Sequence, residues 1–224
     1  MKDNKVAKDF IKSLSSDYQQ QVMEVATSSI FSSIDATVFM GVPILSAVYS
    51  LWQLHSSYFD YHRIRKLAIF ITEIENNNES KKLEKYKKAI LEKGKSFEED
   101  LDFMLIIIDR IIEDSKAKYL AKIYKAYLDR AIDMEEFKVL SISLSSLLES
   151  DIERLKEFPV ILEKFSLVGS DSVARLQSAG FIIEHEDEIK VPSTIQSIRI
   201  PVKTVVNYDR TPIGEKFVKC ISEY

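Results

Sequence analysis

The chain has 224 residues and a formal charge of −4, from 31 Lys and Arg against 35 Asp and Glu, so no global field draws it toward nucleic acid or anionic lipid. Its five glycines and five prolines stand where average usage, about 7% and about 5%, would give roughly sixteen and roughly eleven. That shortage argues against turn-rich sandwiches and barrels and against glycine-cradled nucleotide sites, while 46% apolar and 29% charged residues argue against wholesale disorder.

The N-terminal stretch, residues 1–21, is charged and polar, with no apolar run of signal-peptide type. Cys220 is the single cysteine, so no intramolecular disulfide is possible. The cytoplasm is the expected compartment; the alternative is a peripheral or inserted position at the inner face of a membrane.

In chain order, Ser16 or Asp17 can cap a helix carrying Tyr18, Val22, Val25, Ile30 and Ile34 at approximately helical spacing. Pro43 suits the first turn of a second helix with Ile44, Leu45, Ala47, Val48, Leu51 and Trp52. A further segment runs through Tyr61 to Ile74 and ends at three asparagines, 76 to 78. Lys81 to Lys93 reads as a short basic helix that Gly94 can terminate.

Ser96 with Glu99 has the spacing of a capping box and opens a helix bearing Phe97, Leu101, Met104, Leu105, Ile108, Ile111 and Ile112. Asp114 or Ser115 can cap the next, with a stripe of Ala117, Leu120, Ala121, Tyr124, Tyr127 and Leu128 and lysines at 116, 118, 122 and 125 on its other surface. Asp133 with Glu136 repeats the box, and one helix is expected from there to Phe158. Seven of the ten glycines and prolines lie from Pro159 onward, which places a boundary near residue 160.

The tail has a different rhythm. A short helix, Val173 to Ala179, closes on Gly180; Phe181–Ile183 is strand-like, residues 185–188 turn, and Ile189–Val191 can return. The series Ile195, Ile198, Ile200, Val202, Val205 and Val206 is β-rich, with Pro192 and Pro201 restricting it to edge or bulged strands. Thr211 and Pro212 are an N-cap and first-turn proline for a last helix.

Arg175-Leu-Gln-Ser-Ala-Gly-Phe-Ile182, followed by Tyr208-Asp-Arg-Thr-Pro-Ile-Gly-Glu-Lys-Phe217, resembles the ending of many bacterial winged-helix proteins. Lys116 to Leu148 is similar to uncharacterised bacterial helix-rich proteins with such an ending. The resemblance implies a mainly α fold: a multi-helix bundle over 1–160 and a small α+β winged-helix-like module over 161–224. It carries no activity.

A winged helix raises the question of DNA, for which Arg175, Gln177 and Arg210 are the candidate contacts. Residues 167–224 hold seven Lys and Arg against eight Asp and Glu, and Glu184, Glu186, Asp187 and Glu188 sit on the first wing turn. Phosphate contacts need clustered cations, so protein contact is ranked above DNA binding. A role in phage conflict or stress is conceivable from the resemblance alone.

The chemistry-bearing residues are sparse. His55 and His62 are seven apart without metal-ligand spacing. A calcium loop starting at Asp129 fails at Ala131, Met134 and Leu140. No nucleotide, hydrolase or metalloprotease motif is found, and no cofactor or metal is expected.

Two apolar features stand out. Residues 36–59 lack Asp, Glu, Lys and Arg for 24 positions, and beside them lie aromatic and basic residues of interfacial type. A membrane-associating effector would use Val42, Ile44, Leu45, Val48, Trp52, Tyr58, Arg63, Arg65 and Lys66; a buried core helix is the ranked-first alternative. The run Phe103–Ile108 is apolar all round, so its helix is either central or shared with a partner, self-association included. The leading expectation is a non-enzymatic interaction or regulatory protein.

Overall fold

The structure, a computed structural model, describes residues 5–27, 40–51, 58–76, 80–158, 170–187 and 205–224. Among these it is mainly helical, with eleven helices and one two-stranded sheet. The helices are α1 (Lys5–Ser13), α2 (Ser16–Thr27), α3 (Pro43–Leu51), α4 (Tyr58–Glu75), α5 (Ser80–Lys93), α6 (Ser96–Arg110), α7 (Lys116–Leu128), α8 (Met134–Ser146), α9 (Glu149–Glu157), α10 (Ser170–Ser178) and α11 (Pro212–Glu223). Strands β1 (Ile182–Asp187) and β2 (Val205–Arg210) pair antiparallel, Ile182 opposite Arg210 and Glu184 opposite Tyr208.

A fold this poor in glycine must end its helices by other means, because each α-helix leaves four carbonyls without an intrahelical donor. Among the described residues only Gly94 (φ +56°) after α5 and Gly180 (φ +77°) after α10 supply a left-handed glycine, and Arg130 (φ +61°) takes that role after α7. Elsewhere basic side chains from distant positions donate to the terminal carbonyls. Arg65 Nε reaches Ala26 O on α2 at 3.3 Å, and Lys125 Nζ reaches Glu73 O on α4 at 2.7 Å. Lys66 Nζ donates to Ile108 O (3.3 Å) and Ile111 O at the end of α6. Lys116 meets Leu144 O on α8 (3.4 Å), Lys122 meets Ile221 O on α11 (2.9 Å), and Arg210 meets Phe158 O after α9. A cation at a C-terminus also faces the negative end of the helix dipole.

The chain divides into two compact units, Met1–Ser145 with Cys220–Tyr224, and Ser146–Lys219. In the first, α2 and α7 pack on α4, and α1 packs on α3. An aromatic series runs through its core: Phe97 to Phe10 (centroids 5.2 Å), Phe10 to Phe70 (6.5 Å), Phe70 to Tyr124 (5.9 Å) and Tyr124 to Phe137 (5.5 Å). The all-round apolar run Phe103–Ile108 buries Met104, Leu105, Ile107 and Ile108, while Ile106 is 51% exposed. Cys220 is a buried residue of this unit.

In the second unit α9 packs on α10 and α10 on β1. Phe181 and Phe217 face each other at 4.5 Å. The expected cap of α11 is formed: Gly214 N donates to Thr211 Oγ1 at 3.1 Å, and Thr211 Oγ1 donates to Gly180 O at 2.6 Å. Gly214 lies directly against the Phe181 carbonyl, where a Cβ has no room.

Several expectations are corrected. The single helix from Asp133 to Phe158 is two, because Leu148 is extended (φ −94°, ψ 159°) and its N–H donates to Asp151 Oδ2 at 2.9 Å, starting α9 afresh. The Ser96–Glu99 box is not made: Lys95 precedes α6 in helical conformation, and Ser96 Oγ turns back to Lys93 O at 3.0 Å. β1 continues through Asp187, where a turn was expected. The expected return strand Ile189–Val191 and the Ile195–Val202 series lie outside the described residues.

Candidate interaction surface

Of the residues proposed for a membrane face, Val42, Ile44, Leu45 and Val48 have no exposed surface. α3 is fastened to the core where Ile44 N donates to the buried Ser13 Oγ at 3.0 Å. Trp52 lies outside the described residues, and of Tyr58 only its place at the start of α4 is described. No helix among the described residues is long and apolar enough to cross a membrane.

The adjoining basic residues are engaged inside the first unit. Arg63 Nε pairs with Asp109 Oδ1 at 2.5 Å and Arg65 Nη1 with Asp114 Oδ2 at 2.6 Å. Lys66 is buried, and that burial pushes its ammonium below the ordinary lysine range against the opposing pull of Asp114 and Asp109.

The residues proposed for nucleic acid likewise make internal contacts. Asp151, fully buried, accepts from Arg175 Nε (2.7 Å) and Nη2 (2.8 Å), from Ser172 Oγ (2.6 Å) and from Leu148 N. Burial alone would push this carboxyl up, but the hydrogen bonds from Arg175, Ser172 and Leu148 outweigh it and hold it below its ordinary value. Gln177 Nε2 donates to Glu184 Oε2 at 3.3 Å on the exposed sheet face. Arg210 also pairs with Glu215, Nε to Oε1 at 3.2 Å.

One open cleft of about 360 Å³ in the first unit is walled by Met23, Ala26, Ile69 and Thr72, with Arg65 and Lys118 at its edge. Arg65 is already committed to Asp114 and to the end of α2. Among the described residues no group of three His, Cys, Asp or Glu is placed to hold a metal ion.

Large apolar side chains open to solvent lie on α5, α6 and α8, and also at Met23, Met40, Leu148 and Ile183. α6 exposes Ile106 (51%), and Ile112 just past its end is 81% exposed. α8 exposes Val139 (44%) and Ile142 (48%), three apart and therefore on one face. Phe103 links the two helices: its ring meets Phe137 edge-to-face at 5.7 Å, and Lys138 Nζ sits 5.9 Å above it. α5 exposes Leu91 (51%).

Charge is divided sharply across this surface. Residues 81–95 hold seven lysines and two glutamates, and residues 96–114 hold seven Asp and Glu with one arginine, balances of +5 and −6. Lys93–Asp100 (2.8 Å) joins the two segments. Glu98, Glu99 and Asp102 on α6, Lys81 on α5 and Lys95 between the two helices are exposed.

Leu91, Val139 and Ile142 were missed by periodicity, which assigns apolar residues to the buried stripe. Their only signal was position: each is apolar yet off the stripe of its own helix. No protein-family model, curated protein or solved structure matches the chain.

Proposed function

We propose that this is a non-enzymatic interaction or regulatory protein that works through protein contacts of its helical bundle. The observation that carries this reading is the surface of α6 and α8, where Ile106, Ile112, Val139 and Ile142 are 44% exposed or more in one compact unit. Four large aliphatic side chains held in water cost stability that contact with another protein recovers, and such patches mark interaction sites. The order α10, β1, β2, α11 supports a winged-helix-like tail, and the engagement of Arg175 by Asp151 favours protein over DNA as what it meets.

Photo-crosslinking in the producing cell tests this. A photoreactive phenylalanine analogue at position 106 or 142 should give discrete protein adducts, identified by mass spectrometry, while the same analogue at the exposed Gln20 should not. Adduct patterns indistinguishable from those at Gln20 would overturn the reading.

A further inference from the structure

The geometry points to a binding site for a small α-amino acid with an apolar side chain, in the cleft between α2, α4 and α7 of the first unit. This goes beyond the protein-contact reading and does not depend on it. The floor is one face of α4, where Arg65, Ile69, Thr72 and Asn76 follow at helical spacing. Met23 and Ala26 of α2 form an apolar wall; Asp114, just before α7, and Lys118 in its first turn form the other. At about 360 Å³ the cleft stands at the small end of the range for ligand pockets, and apolar walls with a few polar groups are their usual make-up.

Each acid of the cleft has its own cation: Lys125 lies 3.5 Å from Glu73, and Arg65 Nη1 lies 2.6 Å from Asp114 Oδ2. Lys118 is the cation left over, exposed and without an ion pair among the described residues. Two oxygens are also unmatched there, since Asp114 Oδ1 and Thr72 Oγ1 are buried without a hydrogen bond. His62 Nδ1 stands 3.7 Å from the first, beyond hydrogen-bond reach. Such groups are rare in folded proteins and call for a partner. An amino acid supplies one for each. Its ammonium meets Asp114 at the end of the cleft where Arg65 joins Asp114 to Ala26 O, and where the negative end of α2 faces. Its carboxylate meets Lys118 and the Thr72 hydroxyl, which a turn about χ1 presents to the cleft. Asp114 and Lys118 are one helical turn apart, about 6 Å, a span that the charged ends of an amino acid and their hydrogen bonds bridge. The apolar side chain lies on Met23, Ala26 and Ile69.

Isothermal titration calorimetry of the full chain, with L-valine, L-leucine, L-methionine and L-phenylalanine as probes, tests this. At least one should bind with a Kd below about 1 mM. The matching amine, which lacks the carboxylate, and the matching acid, which lacks the ammonium, should each bind at least about tenfold more weakly. Lys118→Gln should weaken binding at least about fivefold and leave the denaturation midpoint unchanged, because Lys118 is exposed. Thr72→Val removes the hydroxyl at similar shape, so binding should weaken while the chain keeps or gains stability through losing a buried unpartnered group. No heat from any of the probes at about 5 mM, equal binding of the amine or the acid, or a Lys118→Gln chain that binds like the native one would each overturn the inference. A Thr72→Val chain that loses stability would show that the hydroxyl already has an internal partner, and would overturn its part in the site. Crosslinks from positions 106 and 142 report on the protein-contact reading alone, so either reading can fail while the other stands.

Discussion

Lys125 has no exposed surface, and its ammonium lies 2.7 Å from Glu73 O and 3.5 Å from Glu73 Oε1. Burial pulls its pKa from 10.5 down to about 8; Glu73 opposes the shift, while Lys122 and Lys82 add to it. Between those two values the unfolded chain binds more protons at this site than the native chain, so its contribution to stability rises with pH. The denaturation midpoint of the native chain should therefore climb relative to that of Lys125→Met between pH 8 and pH 10. Parallel curves would show that the ammonium is not penalised by its burial.

Asp151 has the opposite sign. Its carboxyl is held below 3.8, so the stability it confers is present at neutral pH and is lost as pH falls through the depressed value. Arg175→Ala would strip two of its four hydrogen bonds and should cost about 2–3 kcal/mol in urea denaturation, against under about 0.5 kcal/mol for the half-buried Gln177→Ala, whose hydrogen bond to Glu184 is solvent-exposed. Equal effects would contradict the assigned roles. None of this was legible in sequence. Lysines 116 and 125 sit at polar positions of the α7 pattern, and what buries them is the carbonyl end of another helix, brought close only by tertiary packing. Arg175 offered a basic contact on paper and proves to be the partner of an aspartate 24 residues earlier.

At the scale of elements, local rules succeeded where the next residue cooperated. Asp133 and Glu136 form their box, Asp133 N to Glu136 Oε2 at 3.0 Å and Glu136 N to Asp133 Oδ1 at 2.8 Å, because the chain enters α8 from an irregular turn. Ser96 has the same spacing but follows a residue already in helical conformation, which leaves it no N-cap position. The Phe158-long helix failed for a similar reason: the apolar stripe continues through Leu147 and Leu148, and periodicity cannot register a break that preserves the face. α1 was not foreseen, although Ala7 and Phe10 are buried three apart.

The two kinds of glycine make a comparison at this scale. Gly94 needs its left-handed φ, but nothing lies within 4 Å of a would-be Cβ, so Gly94→Ala should cost about 1 kcal/mol. Gly214 has an ordinary helical place but abuts the Phe181 backbone carbonyl, which cannot swing aside as a side chain can. Gly214→Ala should therefore cost more than Gly94→Ala, by at least about 1 kcal/mol, in thermal or urea denaturation. The reverse order would mean that the close approach of α11 to Phe181 is not as described.

At the scale of the whole molecule, ten glycines and prolines indicated two parts, and the described chain has two compact units of its own. The compositional change near 160 and the start of the second unit at Ser146 measure different things: turn residues gather where regular elements shorten, whereas a unit is defined by which residues pack together. Composition could not reveal that the last five residues belong with the first unit, since that depends on Cys220 and Ile221 being buried there and on Ile221 O accepting Lys122 Nζ at 2.9 Å. Ending the chain at Lys219 removes both apolar side chains and leaves Lys122 without its acceptor. Lys122 is only part-buried and can turn to water, so the loss is governed by apolar burial and should be about 3 kcal/mol. Hydrogen exchange should then quicken along α7, Lys116–Leu128, whose Lys122 holds that end of the chain. Unchanged protection of α7 together with an unchanged denaturation midpoint would show that residues 220–224 merely rest on the first unit, and that its core is complete without them.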